Sequence, residues 1–577
     1  MFEPDEIKKK APKDHNKLLY AVDEVPPHGV LLSVAFQQIL SSLSSALFTG
    51  YIIADVVCAA PDHPIRAKIF CTTLFMCGFC TSLQSLIGIR LPIFQGPSST
   101  FLIPLLALRN TDAAWNCSSQ TISQQLAENT YNHSLTEVDE ISDDIIYGRL
   151  RQLSGSLIAA SVLEVVVGLT GVVGLVIRLI GPLSVSATIL LIAFALIKIP
   201  IIYSKTNWPV ALVTAILITV FTLYMDRVLV PLITGWKRGK FTITKLPLFK
   251  VLPILLAMLV GWGICGVLTA TGSLPDDPAL AGYRARTDAK DRIVRLTPWF
   301  HLIYPGQFGT PGFSTAVFLG FVAAIISSIV ESVGDYFAAA GICQVPPPPR
   351  HAINRGILVE GVGSVVSGLY GAGHATTSYS TNIAVVGLTQ VASRSAWVAT
   401  GIIAMILSFI GKLGAVLSTL PEPVIGGKII VGLGMMVSIA ITTLKDVDIQ
   451  SSRNMAILGI SVYTGLVIPQ FLEMHPDAID TGNIHGNQII KVVIGTPMFL
   501  GVLICVILDN TVKGTLKERG LENWGVKEKK SKEVIEDDTA PIKYRSIYDF
   551  PHLRKFIRKS PFLQKLPFLP PGEAEEP

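Results

Sequence analysis

The sequence predicts an all-α polytopic membrane protein of about fourteen spans, arranged as two inverted halves of seven, with short extended pieces in spans 3 and 10. Three observations carry this expectation. Half of the residues are hydrophobic, only 15% are charged and the mean hydropathy is +0.52, whereas a soluble chain carries about 25% charged residues. Eleven apolar runs have the length a helix needs to cross the hydrocarbon core. Three further runs are broken by proline, glycine and hydroxyl residues, and two of these breaks fall seven spans apart.

The clear runs lie at about 30–54, 66–88, 154–180, 183–201, 208–233, 251–271, 314–340, 396–418, 423–443, 453–471 and 489–508, and the interrupted ones at about 92–108, 356–371 and 377–393. Residues 30–233 form the first half and 251–509 the second, joined by a linker at 234–250 and flanked by tails 1–29 and 510–577. Met1 to Lys17 is charged and lacks the short apolar core of a cleavable signal, so the first apolar run is expected to direct insertion. The C-terminal tail, with Lys527-Glu-Lys-Lys530 and a proline-rich end, is expected to be poorly ordered.

Basic residues set the orientation. Lys8, Lys9, Lys10, Lys13 and Lys17, then Lys237, Arg238, Lys240, Lys245 and Lys250, then Arg350 and Arg355 all fall on one side, which places both termini in the cytoplasm. On the other side the loop 110–150 holds Glu137, Asp139, Glu140, Asp143 and Asp144 and two glycosylation sequons, at Asn116 and Asn132. A multi-pass protein of the plasma membrane is expected. The net charge of +5 is small and sits in the tails, so nucleic acid is not an expected partner. The eight cysteines are scattered and read as packing residues, Cys77 and Cys80 included. No Ser-His-Asp, HExxH, Walker or GxGxxG context occurs, so neither an enzyme, a metal site nor a bound cofactor is expected, and any pumping must draw on an ion gradient.

Backbone that leaves helical geometry inside a bilayer survives only when buried in protein or lining a polar cavity. Arg90-Leu-Pro-Ile-Phe-Gln-Gly-Pro-Ser-Ser-Thr-Phe101 and Thr377-Ser-Tyr-Ser-Thr-Asn-Ile-Ala-Val-Val-Gly-Leu-Thr389 each read as an extended piece followed by a half-helix. Ser98, Ser99 and Thr100 begin the first, and Thr381-Asn382 reads as an N-cap before Ile383 in the second. With an odd number of spans per half, the two half-helices enter from opposite sides and point their N-termini at one spot near the midplane. That spot offers N–H donors and two positive dipole ends to an electron-rich solute. The bland alternative is a pair of Ser/Thr-rich packing faces.

Carboxylates at membrane depth are the second signal. Glu331 and Asp335 share one helical face by their spacing. Glu331 suits ring N–H or O–H groups of a solute; Asp335, with Glu331 and Ser380, suits a coupling cation. Gln37 and Gln38 in span 1 supply amides at matching depth. Glu360 reads as a structural partner of Arg355 or a backbone donor, Glu164 as a packing or dimer residue, Lys198 and Asp226 as snorkelling ends, and His374 as lying at the outer end of the break.

Glu331-Ser-Val-Gly-Asp335, Pro346-Pro-Pro-Pro-Arg-His-Ala-Ile-Asn-Arg-Gly356, Glu360-Gly361 and Asn382-x₆-Thr389 resemble the nucleobase–ascorbate transporters, solute carrier family 23, most of all the animal branch of sodium-dependent vitamin C transporters. Gly88 to Gln95, Ala285 to Ala289, Asp446 to Asn454 and Leu508 to Thr511 extend the likeness to nearly the whole chain except the tails. The resemblance implies a core domain and a gate domain, a homodimer, and an elevator-type movement. It implies a solute, L-ascorbate or a nucleobase, held between the half-helices by Glu331, with Asp335 and Glu360 as further acidic positions of the core and Gln95, Thr381, Asn382, Thr389 and Gln390 in or beside its motifs. It implies coupling to sodium, with the proton as the alternative ion. This chain departs from the family at Thr381, where Gln, Glu or Pro is usual, at Gln37-Gln38 for Gln-His, at Ala384 for Gly and at Gln390 for a cationic residue. The other readings weighed are a channel, an anion exchanger of the same fold and a non-transporting receptor.

Overall fold

The computed structural model describes most of residues 18–521, with 547–550 and isolated positions up to 570; residues 1–17, most of 112–137, 175–178, 483–486, 522–546 and scattered single positions lie outside the description. Both sequons fall there, at Asn116 and Asn132, as does Asp226.

The apolar runs fold as helices. In the first half these are α1 (His28–Val56), α2 (Ile65–Leu86), α3 (Leu102–Thr111), α4 (Val138–Thr170), α5 (Pro182–Ala195), α6 (Lys198–Ser204) and α7 (Trp208–Leu223). In the second half they are α8 (Pro253–Ala270), the short α9 (Asp291–Leu296), α10 (Thr315–Ile342), α11 (Arg350–Tyr370), α12 (Ser380–Thr389), α13 (Arg394–Ser408), α14 (Gly411–Leu417), α15 (Glu422–Thr443), α16 (Ser452–Met474) and α17 (Pro497–Thr511). Among the described residues eight helices, counting α5 and α6 as one, are long and apolar enough to cross a membrane, and four shorter apolar helices accompany them.

The helices sort into two packed groups. One joins α1, α2, α4, α10, α11 and α13 with the short α3 and α12; the other joins α5 to α8 with α15, α16 and α17. Small residues let the first group approach closely. A Cβ on Gly78 of α2 would stand 2.5 Å from the Gly401 carbonyl of α13, and one on Gly401 would stand 2.4 Å from the Gly78 carbonyl. Between apolar helices in lipid, such backbone contact is a main source of cohesion.

Two extended pieces lie inside the first group. β1 (Gln95–Pro97) pairs antiparallel with β4 (Thr376–Ser378), matching Gln95 to Ser378 and Pro97 to Thr376. Each strand has few partners of its own, so pairing the two breaks satisfies backbone groups that lipid would leave bare. The register leaves the helix after β1 and the helix after β4 starting at opposite ends of the ladder and running apart.

Several expectations are corrected. The segment 208–233 is not one helix: α7 stops at Leu223, and the supposed linker 234–250 carries a β-hairpin, β2 (Val230–Lys237) with β3 (Lys240–Leu246). The alternation in Lys240-Phe-Thr-Ile-Thr-Lys-Leu246 favours a strand, and the apolar run had masked the end of the helix. Part of the loop 110–150 is helical, because α4 starts at Val138. The run 396–418 is split into α13 and α14, where the Phe409 carbonyl accepts from His301 N–H at 2.9 Å and Ile410 bridges Phe300.

Not all cysteines are packing residues. Cys58, just after α1, and Cys117 form a disulfide; the other six are free and buried. Close by, the two helix groups meet through a polar cluster. Arg66 pairs with Asp55 at 2.6 Å, and Tyr203 of α6 donates to the other Asp55 oxygen at 2.9 Å. Lys290, at the start of α9, donates to the Leu420 carbonyl at 3.2 Å and to the Tyr51 hydroxyl at 3.3 Å. Burial pushes its ammonium down to about 8, against the pull of the Glu422 carboxylate.

Candidate functional site

The strand pair and the two helix starts beside it define the site. Ser98 stays extended and its hydroxyl accepts from Thr100 N–H at 3.3 Å, capping the 3₁₀ turn Ser99–Phe101 that leads into α3. Ser98 and Thr100 are buried, whereas Ser99 is half-buried. At the other end the expected cap moves. Tyr379, not Thr381-Asn382, stands at the N-cap position, and α12 begins at Ser380. The reason is tertiary. Tyr379 N–H donates to the Phe94 carbonyl at 3.0 Å and its hydroxyl to the Pro97 carbonyl at 2.9 Å, which hold it extended. Ser380 and Thr381 therefore lie in the first turn of α12.

Freed from capping, Asn382 reaches α1. Its amide donates to Gln38 Oε1 at 2.6 Å and to the Gln38 carbonyl at 3.2 Å, with both residues fully buried. On the far side of the strand pair α10 brings Glu331 to Thr100, whose hydroxyl donates to Glu331 Oε2 at 3.4 Å. Glu331 is half-buried and makes no ion pair with a lysine or arginine among the described residues, which leaves its carboxylate able to accept from a solute. Asp335 lies one turn further along α10, buried and near enough to feel the Glu331 charge.

Glu360 is not held by Arg355. It accepts from Ser332 at 2.6 Å and from Tyr336 at 2.9 Å. Arg355 points the other way and donates to the Gly88 carbonyl at 2.7 Å. A hydroxyl chain continues from Ser332 to Thr377 at 2.8 Å and to Ser328, while Gln84 donates to Tyr336 at 2.6 Å. The carboxylate thus ties α11 to α10, and Ser332 and Ser328 carry the link on to β4 through Thr377. Glu164 faces inward against α11 at Gly361, which excludes the dimer-surface reading. His374 is buried, with Nε2 at 3.0 Å from Thr73 Oγ1 and Nδ1 at 2.9 Å from the Ala375 carbonyl. Lys198 pairs with Glu473 at 2.5 Å.

Gln95 is buried on β1. Thr389 and Gln390 sit at the far end of α12, away from the strand pair: Thr389 donates back to the Val385 carbonyl at 2.9 Å, and the Gln390 carbonyl accepts from Leu19 N–H at 2.8 Å.

Sequence reasoning missed Tyr379, Ser332, Tyr336 and Gln84. The first was visible as an aromatic inside a hydroxyl run, and Ser332 and Tyr336 flank the acidic motif, but nothing local says which partner each would find.

The chain is similar over most of its length to known carriers. It is 35% identical over 555 residues to rat "Solute carrier family 23 member 1", covering 96% of this chain and 89% of that one. It is 36% identical over 553 residues to human "Solute carrier family 23 member 2", covering 96% and 82%. It is 28% identical over 514 residues to "Nucleobase-ascorbate transporter 1" of Arabidopsis thaliana, covering 88% and 92%. Among solved structures, the transmembrane domain of a cyanobacterium bicarbonate transporter, BicA, superposes with a TM-score of 0.46 at 12% identity, covering 85% of this chain and 99% of that one. The family model Xan_ur_permease, described as "Permease family", matches residues 29–474. With paired helix breaks, membrane-length helices and these relatives, the chain belongs to that permease family and is a transporter.

Proposed function

We propose that this transporter is a secondary active symporter of the plasma membrane, coupled to sodium, that takes up L-ascorbate or a nucleobase. The observation that carries the reading is the β1–β4 pair, which sets two half-helix starts against each other beside the half-buried Glu331. A solute lying there meets the N–H groups of both helix starts, the hydroxyls of Ser99 and Thr100 and the carboxylate of Glu331. The carboxylate accepts a ring N–H or an enolic O–H, and the helix starts favour carbonyl oxygens or an enolate. Asp335 adds the second negative charge that a co-transported cation needs.

Alternating access follows from the two helix groups. The group holding the strand pair is the moving core, and the α5–α8, α15–α17 group is the gate through which the homodimer is made. Fourteen spans in two inverted halves of seven put both termini in the cytoplasm. The Cys58–Cys117 disulfide then lies on the oxidising, outer side, with the two sequons.

Uptake of labelled ascorbate, uracil and xanthine in expressing cells, with and without sodium, tests the reading. Glu331→Gln is expected to abolish uptake with surface amount unchanged; normal uptake by that variant refutes the site.

A further inference from the structure

The C-terminal tail, expected to be poorly ordered, returns to the helix group that holds the strand pair. Past α17 the chain still lies on the other group, where Leu521 packs at Gly181 just before α5. Ile547, Tyr548 and Asp549 are then buried against the turn after α2 and the starts of α11 and α13. Three arginines receive them, one from each place. Arg355 donates to the Tyr548 carbonyl, and Arg394 donates to the Ile547 carbonyl at 2.9 Å. Arg90 and Arg355 both stand over the Phe550 ring, at 4.8 and 4.7 Å from its centroid. The segment adds contacts of its own. The Tyr548 hydroxyl donates to the Pro346 carbonyl at 2.6 Å, and Asp549 Oδ1 lies 3.1 Å from His351 Nε2.

The same arginines build the entry to β1. Arg90 stands between α2 and β1 with φ at 64°, in the left-handed region. A residue with a side chain keeps that conformation only where its surroundings over-determine it. Here Arg394 Nε donates to the Arg90 carbonyl at 2.9 Å, Arg355 Nε to the Gly88 carbonyl at 2.7 Å, and Arg90 Nη1 back to the Leu86 carbonyl at 2.9 Å. Arg394 also opens α13, directly after the broken span that ends at Gln390. The cradle thus stands at the roots of both interrupted spans. Three guanidinium groups gathered there repel one another. Asp23, 2.8 Å from Arg394, and Asp549, whose charge Arg90 and Arg355 both feel, offset them. Carbonyls for the N–H forks, a ring for the cation faces and one acid are what Ile547-Tyr-Asp-Phe550 supplies.

We propose that Arg90, Arg355 and Arg394 form a docking site for an aromatic–acidic peptide segment, that residues 547–550 of the chain are its occupant, and that docking holds the turn from α2 into β1. At about 3.3–3.6 Å of reach per residue, the connecting stretch 522–546 is too long to tie the two helix groups together. The segment therefore acts within the group it touches. Release frees the three guanidinium groups, relaxes Arg90 and loosens the ladder that carries the solute site. Docking stands without the transport reading; its effect on the solute rests on that reading.

Amide hydrogen exchange of the purified full-length protein in detergent reads docking directly. Phe550→Ala is expected to speed exchange at least about tenfold over 547–550 and over 88–95, with α15, α16 and α17 unchanged. Tyr548→Phe, which removes only the bond to Pro346, is expected to act in the same places and more weakly. A synthetic peptide of residues 541–552, added in excess to the Phe550→Ala protein, should slow 88–95 again, and the same peptide carrying alanine at 550 should not. Unchanged exchange over 88–95 in both variants overturns the proposal, as does a rise spread equally over both helix groups, or a peptide without effect. In cells, release that leaves the competent arrangement a third populated raises KM about threefold at equal surface amount. A wild-type KM in Phe550→Ala overturns the link to the solute site. A wild type that takes up none of the tested solutes counts against the proposed transport function alone, because exchange does not depend on it.

Discussion

Gly96 sits in the middle of β1, opposite Thr377, and a methyl group there is expected to cripple the site. A Cβ built at Gly96 would lie 2.5, 2.6 and 2.7 Å from three carbons of the Tyr379 ring. Carbon atoms in contact prefer about 3.5–4.0 Å, so the ring must retreat by roughly 1 Å. It cannot do so freely. Its hydroxyl donates to the Pro97 carbonyl at 2.9 Å and its backbone N–H to the Phe94 carbonyl at 3.0 Å. A retreat of that size breaks the hydroxyl bond, at about 1 kcal/mol, and overpacking adds about 1–3 kcal/mol. Gly96→Ala should therefore lose roughly 2–4 kcal/mol of local stability. Misplacing positioned groups by about 1 Å can cost on the order of a hundredfold in rate, so transport per surface molecule should fall at least about tenfold. Surface biotinylation with initial-rate uptake measures this. Gly96→Ala/Tyr379→Ala provides the control, because removing the ring removes the clash, so the double variant should transport no worse than Tyr379→Ala alone. Wild-type transport by Gly96→Ala, or strictly additive losses in the pair, would refute the packing argument.

Lys290 gives a pH prediction outside the spans. Its folded value of about 8 lies below the ordinary 10.5, so between those values the unfolded chain binds more protons and stability rises with pH. The rise should total about 3 kcal/mol, begin near pH 8 and vanish in Lys290→Met, as read from thermal midpoints between pH 7 and 10.5. Reducing the Cys58–Cys117 disulfide, which spans 59 residues of sequence, should cost at most about 4 kcal/mol by loop entropy. A reductant should lower the wild-type midpoint and leave Cys58→Ser unmoved. Gly401→Ala, whose Cβ would meet the Gly78 carbonyl at 2.4 Å, should reduce the amount of protein at the cell surface, and surface labelling checks it.

Hydropathy and chain breakers act locally, so the sequence by itself determined the membrane class, most of the span positions and both interrupted segments. Glu331 and Asp335 stood out for the same reason: a carboxylate inside an apolar run is visible without any partner. The hairpin at 230–246 was hidden because a continuous apolar run does not mark where a helix ends. Only the tertiary structure decided the pairing. Gln38 meets Asn382 across 344 residues of sequence and Thr100 meets Glu331 across 231. Those contacts, the ladder register and the shift of the N-cap to Tyr379 depend on how distant helices pack, and so do the inward position of Glu164 and the partners of Glu360. Each residue's chemistry was legible in isolation, whereas the partner it met was fixed by close packing of backbones at glycines such as Gly78, Gly361 and Gly401.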